Sequence, residues 1–301
     1  MSDYAFLRYE SHADGTIVRI VLDRPQTRNA QHRGLLVELD EAFRRAETDD
    51  RVRVVILAGA GAVFSSGHDL GSPEALAEML PGSTGHRSFA GNGGTRESVE
   101  RRMIQEWHYF FQNTLRWRDL RKITIAEVQG GVYAAGLMLM WACDLVIAAE
   151  GTRFADPVGP RLGGAGVEYF AHPWEFGPRK AKELLLTGDA IDAEEAYRLG
   201  MINKIFPADQ LPARTLEFAG RVAALPSMAS LMVKESVNQS VDAQGFRTAL
   251  TSVFSLHHVL HAHWAELHGG GAAYATEADG VGDWQAAPPM TVATKDTVGG
   301  R

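Results

Sequence analysis

Apolar and polar positions along the chain fall into blocks of two periods. Residues 17–22, IVRIVL, form a mostly apolar, β-branched run closed by Arg24-Pro25, which predicts a strand. Over 31–47, Leu35, Leu36, Leu39 and Phe43 recur at helical spacing and predict an amphipathic helix. The run 52–58 is apolar except for Arg53 and stops at Gly59 and Gly61, as a buried strand ending in a tight turn does. The alternation continues with a helix near 99–119, a strand over 123–128, a helix over 135–142 and a strand over 145–149. Strands and helices in turn predict an α/β architecture. The recurrence is one of pattern, without a fixed sequence period. From Pro178 the pattern becomes helical: one helix runs from Pro178 to Gly188, and others cover 192–200, 209–224, 228–240 and 246–267. These blocks divide the chain into a core over 1–200, a helical region over 201–268 and a Gly-, Ala- and Pro-rich tail over 269–301, expected to be disordered. Residues 81–96, rich in Gly, Ser and Thr, are expected to form a mobile loop.

Two turns carry candidate chemistry. Phe64-Ser65-Ser66-Gly67-His68-Asp69-Leu70 follows the strand over 52–58, and Gly130-Gly131-Val132-Tyr133-Ala134-Ala135-Gly136 follows the strand over 123–128. Small residues let a ligand approach the backbone and leave amide hydrogens free to point at it. Two such turns supply two backbone donors to one oxygen, the minimum of an oxyanion hole. Either turn alone reads equally as a structural loop.

Bulk properties narrow the classes. The chain has 301 residues, 45% hydrophobic and 22% charged, which is ample for a large globular core. A formal net charge of −7 disfavours general binding to nucleic acid or to an anionic membrane, while leaving room for an anionic ligand held by local arginines. The single cysteine, Cys143, excludes an internal disulfide and reads as an inert thiol in an apolar run. The N-terminal residues carry Asp3 and Glu10 and do not read as a signal peptide. The longest apolar stretch, 137–149, is too short to span a bilayer and is broken by Asp144, so a soluble, cytoplasmic protein is expected.

With these residues in place, the chain resembles the enoyl-CoA hydratase/isomerase family, the crotonases. Arg24-Pro25-Gln26-Thr27-Arg28-Asn29-Ala30 is similar to the family's early motif, and 64–70 to its first oxyanion turn. Gln129 to Gly136 followed by Ala142-Cys143-Asp144-Leu145 is similar to the second, and Phe154-Ala155-Asp156-Pro157 to the next active-site loop. Leu186-Thr187-Gly188-Asp189, Ala193 to Ala196 and Leu199-Gly200-Met201-Ile202 match later signatures, so that the resemblance runs over about residues 5–265. It implies a crotonase-type spiral of repeated ββα units with a C-terminal helical region for trimerisation, assembled as a homotrimer or hexamer. It implies an acyl-CoA substrate whose thioester oxygen meets the amides of His68 and Ala135, with coenzyme A part of the substrate and no separate cofactor. The substrate-binding positions carried over are Arg24, Gln26, Arg28, Ala30, Ser66, Gly67, Asp69, Leu70, Tyr133 and Gly136.

The sequence departs from the family where hydratases carry two glutamates. Those positions fall on Met138 and Val158, neither of which can exchange a proton. Candidates to replace them are Asp156, two residues before Val158, and Glu168, in a Gly-rich stretch where the family has a helix start facing the cleft. Asp156 reads equally as a turn residue, and Glu168 as a charge that stabilises a helix terminus. Tyr133 and His172 read as packing residues, and so do Trp107, Tyr109, Phe110 and Phe111, which also suit an acyl pocket. His257 and His261, four apart on a helix, make a candidate metal pair within the cluster His257, His258, His261 and His263. No third ligand follows at conventional spacing, so the cluster reads as a subunit interface or solvated face, with no metal expected. The reading is an acyl-CoA enzyme that stabilises a thioester enolate, on a 2-enoyl-CoA or a related acyl-CoA. The alternatives are a thioester hydrolase or decarboxylase on the same fold, a catalytically silent acyl-CoA-binding protein, and a metal-dependent enzyme built on the histidines.

Overall fold

In the computed structural model, residues 4–79, 103–162 and 164–267 are described. The loop expected over 81–96 and the tail expected from 269 lie outside them. Nine strands are described: β1 Leu7–His12, β2 Ile17–Leu22, β3 Val54–Gly59, β4 Ile123–Val128, β5 Gly131–Tyr133, β6 Leu145–Ala149, β7 Arg153–Ala155, β8 Ile191–Asp192 and β9 Lys204–Phe206. They form a six-stranded sheet in the order β1-β2-β3-β4-β6-β9 and a three-stranded sheet in the order β5-β7-β8. β1 is antiparallel to β2, and from β2 to β9 the large sheet is parallel.

The spiral follows from how the strands share the two sheets. β4 enters the large sheet and β5 the small one before the helix Ala135–Trp141; β6 and β7 repeat the move before Val158–Leu162. These are the ββα units of a crotonase fold.

Side-chain alternation along each buried strand gives the large sheet two apolar faces. Val18, Ile20, Leu22, Val55 and Leu57 join one cluster with Leu35, Leu39 and Phe43 of the helix Arg33–Thr48. That helix forms because its apolar residues share a face and because His32 accepts the Leu35 amide at 3.1 Å, capping the first turn. Ile17, Val54, Ile56, Ile123, Ile125 and Ile147 face the other way and are covered by Leu211 and Ala219 of the helix Leu211–Ala223. Truncating one of these fully buried aliphatics to Ala costs about 2–5 kcal/mol.

This second cluster moves a boundary. β9 and the helix Leu211–Ala223 belong to the sheet and its core, so the core runs past residue 200, where composition alone placed its end. The C-terminal helices differ from expectation too. The resemblance makes the apolar face of Phe246, Leu250, Val253 and Phe254 an intersubunit one, but Phe246, Leu250 and Phe254 are at most 5% exposed and pack inside the chain, Phe254 stacking on Phe111 at 4.4 Å. The apolar residues left exposed there are Met228, Met232, Val233, Val237, Leu256 and Val259. Among the described residues no single helix is long and apolar enough to cross a membrane.

Candidate active site

β3 and β4 are parallel neighbours, with Val54 opposite Ile123 and Ala58 opposite Glu127. The chain leaves both at the same edge, where ligands of open parallel sheets bind, and the two small-residue turns meet there. Phe64 N–H donates to Gln129 O at 2.9 Å, Ser65 N–H to Gly131 O at 3.3 Å, and Tyr133 N–H to Ser65 O at 3.0 Å. The early motif holds the first turn from the other side. Gln31 N–H donates to Gly67 O, Asp69 N–H to Gln31 O and Ser66 N–H to Arg28 O, while the Asn29 amide donates to Ala60 O and Val63 O. Arg28 and Asn29 both take left-handed backbone angles to reach these partners.

The result is close contact between the turns. Gly67 has φ 97°, and a Cβ there would lie 2.9 Å from Tyr133 O and 3.1 Å from Ala135 N. Only glycine leaves that gap open. Ala134 precedes the helix Ala135–Trp141 with φ 47° and ψ −121°, a conformation alanine rarely takes. Strain of this kind costs about 1–3 kcal/mol and persists where the surroundings enforce it, often at functional sites. Ala135 N, at the helix start that follows, lies close against Gly67. The flanking amides are used: Gly67 donates to Ser65 Oγ, Asp69 to Gln31 O, Ala134 to Ala155 O and Leu137 to Ala134 O. Among the described residues, no acceptor faces the amides of His68 and Ala135. Two such amides on adjoining turns are the donors an oxyanion hole requires.

Around this pair the expected residues separate by role. Arg24 was expected to touch CoA, but its guanidinium is 3% exposed and spent inside the protein, donating to Asp69 Oδ2 at 2.7 Å and Ala30 O at 2.6 Å. Burial opposes the Asp69 carboxylate, yet Ser72, Arg24 and Gly71 outweigh it and hold its pKa below the usual range. Arg24, Asp69 and buried Ala30 therefore brace the turn. Gln26, Arg28 and Leu70 are exposed at the rim, and Ser66 and Tyr133 are half-buried. Gly136 is buried, and a Cβ on it would strike Ser65 O at 2.6 Å.

Asp156 is corrected as a candidate base. It is 2% exposed, and its oxygens accept from Val158 N–H at 3.1 Å, Val167 N–H at 3.0 Å and His172 Nε2 at 2.8 Å. A carboxylate so occupied organises its loop and has little left for a substrate proton. Met138 is buried in the main core and Val158 packs against it, so neither position supplies acid–base chemistry.

Glu168 is placed differently. It is 4% exposed, and Oε2 lies 3.1 Å from His68 Nε2. Nε2, facing a carboxylate, is the donor of this contact, which leaves Nδ1 as the ring's other nitrogen. That Nδ1 is buried and has no hydrogen-bond partner among the described residues. The His68 ring stacks on Phe110 at 3.7 Å between centroids, which fixes its plane. Burial works against the Glu168 carboxylate, but His68 and His257 outweigh it and hold the group ionised below the ordinary range. Burial likewise opposes the His257 imidazolium, and Glu106 and Glu168 outweigh it to raise that pKa. A cavity of about 90 Å³ adjoins the pair, lined in part by Gln31, His68, Leu70, Tyr109 and Phe110. Of the expected aromatics, Tyr109 and Phe111 are buried, while Trp107 is 42% exposed and is not core. A larger cavity of about 570 Å³ lies beyond the helix Ala135–Trp141, against Trp141, Cys143 and Lys234. It contains no residue of either turn. Burial and the neighbouring Asp144 push the Cys143 thiol up to about 12, which keeps it inert.

Comparison with known proteins gives the family. A family model described as enoyl-CoA hydratase/isomerase matches residues 12–275. The chain belongs to the enoyl-CoA hydratase/isomerase family. It is 59% identical over 293 residues to a putative enoyl-CoA hydratase of Mycobacterium tuberculosis, covering 97% of this chain and 92% of that protein. The crystal structure of a probable enoyl-CoA hydratase from Mycobacterium smegmatis superposes with a TM-score of 0.77 at 41% identity, over 88% of this chain and 98% of that one. A 4-chlorobenzoyl coenzyme A dehalogenase from an Arthrobacter species is 32% identical over 76% of each chain. A different reaction name thus occurs at the lower identity, and the reaction must be read from the acid–base residues.

Sequence reasoning singled out His68 and Glu168 but did not join them, since they stand 100 residues apart. It missed Glu106 altogether. That residue opens a π-helical segment, Glu106–Gln112, which has no spacing signature of its own.

Proposed function

We propose that the chain processes an acyl-CoA thioester, holding the carbonyl oxygen between the amides of His68 and Ala135 and moving a proton with the His68 imidazole, which Glu168 orients. The substrate class is a 2-enoyl-CoA or a related acyl-CoA, and the outcome is hydration or isomerisation. The observation that carries this reading is the 3.1 Å contact of Glu168 with His68, whose own amide is an oxyanion donor. In hydration, the base takes a proton from water as its oxygen bonds to Cβ. The π electrons move onto the thioester oxygen, and a proton is then delivered to Cα. In isomerisation the base removes a proton next to the unsaturation and returns it to another carbon. Both steps pass through an enolate, whose charge the two amides stabilise; losing one such donor costs about 10²–10³ in rate.

Met138 and Val158 support a reaction distinct from fast crotonyl-CoA hydration. A missing positioned acid or base costs about 10²–10⁴ in rate, so turnover of crotonyl-CoA is expected far below that of a hydratase with both glutamates. Two measurements test the reading. CoA thioesters should raise the melting temperature through binding to the folded state, and no shift with any of a panel at millimolar concentration overturns the ligand class. His68→Ala keeps the backbone donor and removes the imidazole, and should lower kcat by about 10²–10⁴ on whichever thioester is turned over. Unchanged kcat overturns the proton role.

The exposed apolar residues Met228, Met232, Val233, Val237, Leu256 and Val259 support assembly through the C-terminal helices, as a trimer or hexamer. Light scattering that finds a monomer at micromolar concentration overturns it. We place the protein in the cytoplasm.

A further inference from the structure

The histidines of the last helix are not a solvated face. His257 and His261 are 6% and 8% exposed, one turn apart on Phe246–Leu267, with their Nε2 atoms 2.8 Å from one another. The third donor that their spacing lacks comes from a different part of the chain. Glu106, 2% exposed, places Oε2 at 3.7 Å from His257 Nε2 and Oε1 at 3.8 Å from His261 Nε2. The geometry points to a binding site for a divalent cation of the zinc class, formed by Glu106, His257 and His261.

Four observations support this. First, the three donor atoms lie within 4.8 Å of one another. A tetrahedral ion with bonds of about 2.0–2.1 Å separates its ligand atoms by about 3.3 Å; the two Nε2 atoms are 2.8 Å apart, and the nearer Glu106 oxygen to each, Oε2 to His257 and Oε1 to His261, lies at 3.7 and 3.8 Å. Second, further donors converge on the same place. Glu168 Oε1 is 3.6 Å from His257 Nε2, and His258 Nε2 is 3.8 Å from Glu106 Oε2. Third, the charge balances: a divalent ion would neutralise the two buried carboxylates, Glu106 and Glu168, that flank His257. Fourth, Glu106 is the first residue of the π-helical segment Glu106–Gln112. π-helical turns are rare and frequently mark functional sites.

The donor set selects the ion. Two imidazoles and a carboxylate suit zinc and its neighbours, whereas magnesium and calcium take oxygen ligands. Three protein ligands leave a fourth position, and Glu168 Oε1 lies 3.6 Å from His257 Nε2. A bound ion would therefore tie the last helix and the π-helical segment to the loop that holds His68. This inference concerns binding, and its test does not depend on identifying the substrate.

The test uses the full-length chain without an affinity tag, stripped by a chelator and dialysed against zinc. About one zinc per chain is expected, with a dissociation constant in the micromolar range or tighter and a higher melting temperature on loading. Glu106→Gln and His261→Gln should each weaken zinc binding by at least about 100-fold, more than loss of a residue that only orients a ligand, whereas His12→Gln, remote from the cluster, should not. Loading below about a tenth of an equivalent, or loading unchanged in the Glu106→Gln, His261→Gln double variant, overturns the proposal. Should those variants misfold, the visible spectrum of cobalt in the wild-type chain decides. An intense tetrahedral spectrum is expected, and a weak octahedral one contradicts the site.

Discussion

The loop around Asp156 and the loop around Glu168 each bring one buried carboxylate to the same end of the sheet, and their surroundings give them opposite uses. Asp156 accepts from Val158 on its own loop and from Val167 and His172, which flank Glu168, so its bonds tie the two loops together and are all spent on structure. Glu168 accepts from the side chain of His68 and faces His257, and both contacts reach across to other parts of the fold. A carboxylate whose lone pairs go to nearby amides stabilises structure. One that holds an imidazole from another loop is free of that structural task, which is why the proposed proton transfer is assigned to it. Acidic character and burial do not separate the two residues; their partners do.

Three substitutions probe that contrast, in falling order of effect. Gly67→Ala drives a Cβ into the Tyr133 carbonyl and the Ala135 amide, and should cost about 10²–10³ in kcat/KM by spoiling the oxyanion donors. Steady-state rates equal to wild type would show that the two turns do not act together. Asp156→Asn should act on stability, removing the charge that Val158, Val167 and His172 share, for about 2–4 kcal/mol in denaturant unfolding. If it spares stability and abolishes turnover in the folded protein, the roles of the two carboxylates are exchanged. Arg28→Ala, at the exposed rim, should raise KM by about 1.5- to 5-fold with kcat unchanged, the scale of a solvent-screened charge contact. A change in kcat there would place Arg28 nearer the chemistry than its exposure indicates.

Much of the scaffold was legible in the sequence, for reasons visible in the structure. β2, β4, β6 and the helix Phe246–Leu267 coincide with their expected spans because each carries a sustained apolar pattern. β1, with Arg8, Glu10 and His12 along it, sits at the sheet edge and shows too little contrast to stand out. β5, β7, β8 and β9 are two or three residues long, too short for any period to register. The meeting of the two turns was legible because close backbone approach demands small residues in order. The side-chain contacts beside them were not. Glu168 meets His68 only in the fold, and Glu106 joins two histidines from a segment whose π-helical winding leaves no sequence mark. The same limit misplaced Arg24, which looked like a ligand contact until Asp69 was found against it.

The most direct measurement of the central claim is kcat for Glu168→Gln beside wild type, on a substrate first found active in an acyl-CoA panel. Proton transfer through the His68–Glu168 pair predicts a fall of about 10²–10⁴ in kcat with acyl-CoA affinity nearly unchanged, as for an interaction made in the transition state. A variant that keeps wild-type kcat while losing only about 0.3–1 kcal/mol of stability, the worth of a charge at a helix terminus, would contradict it.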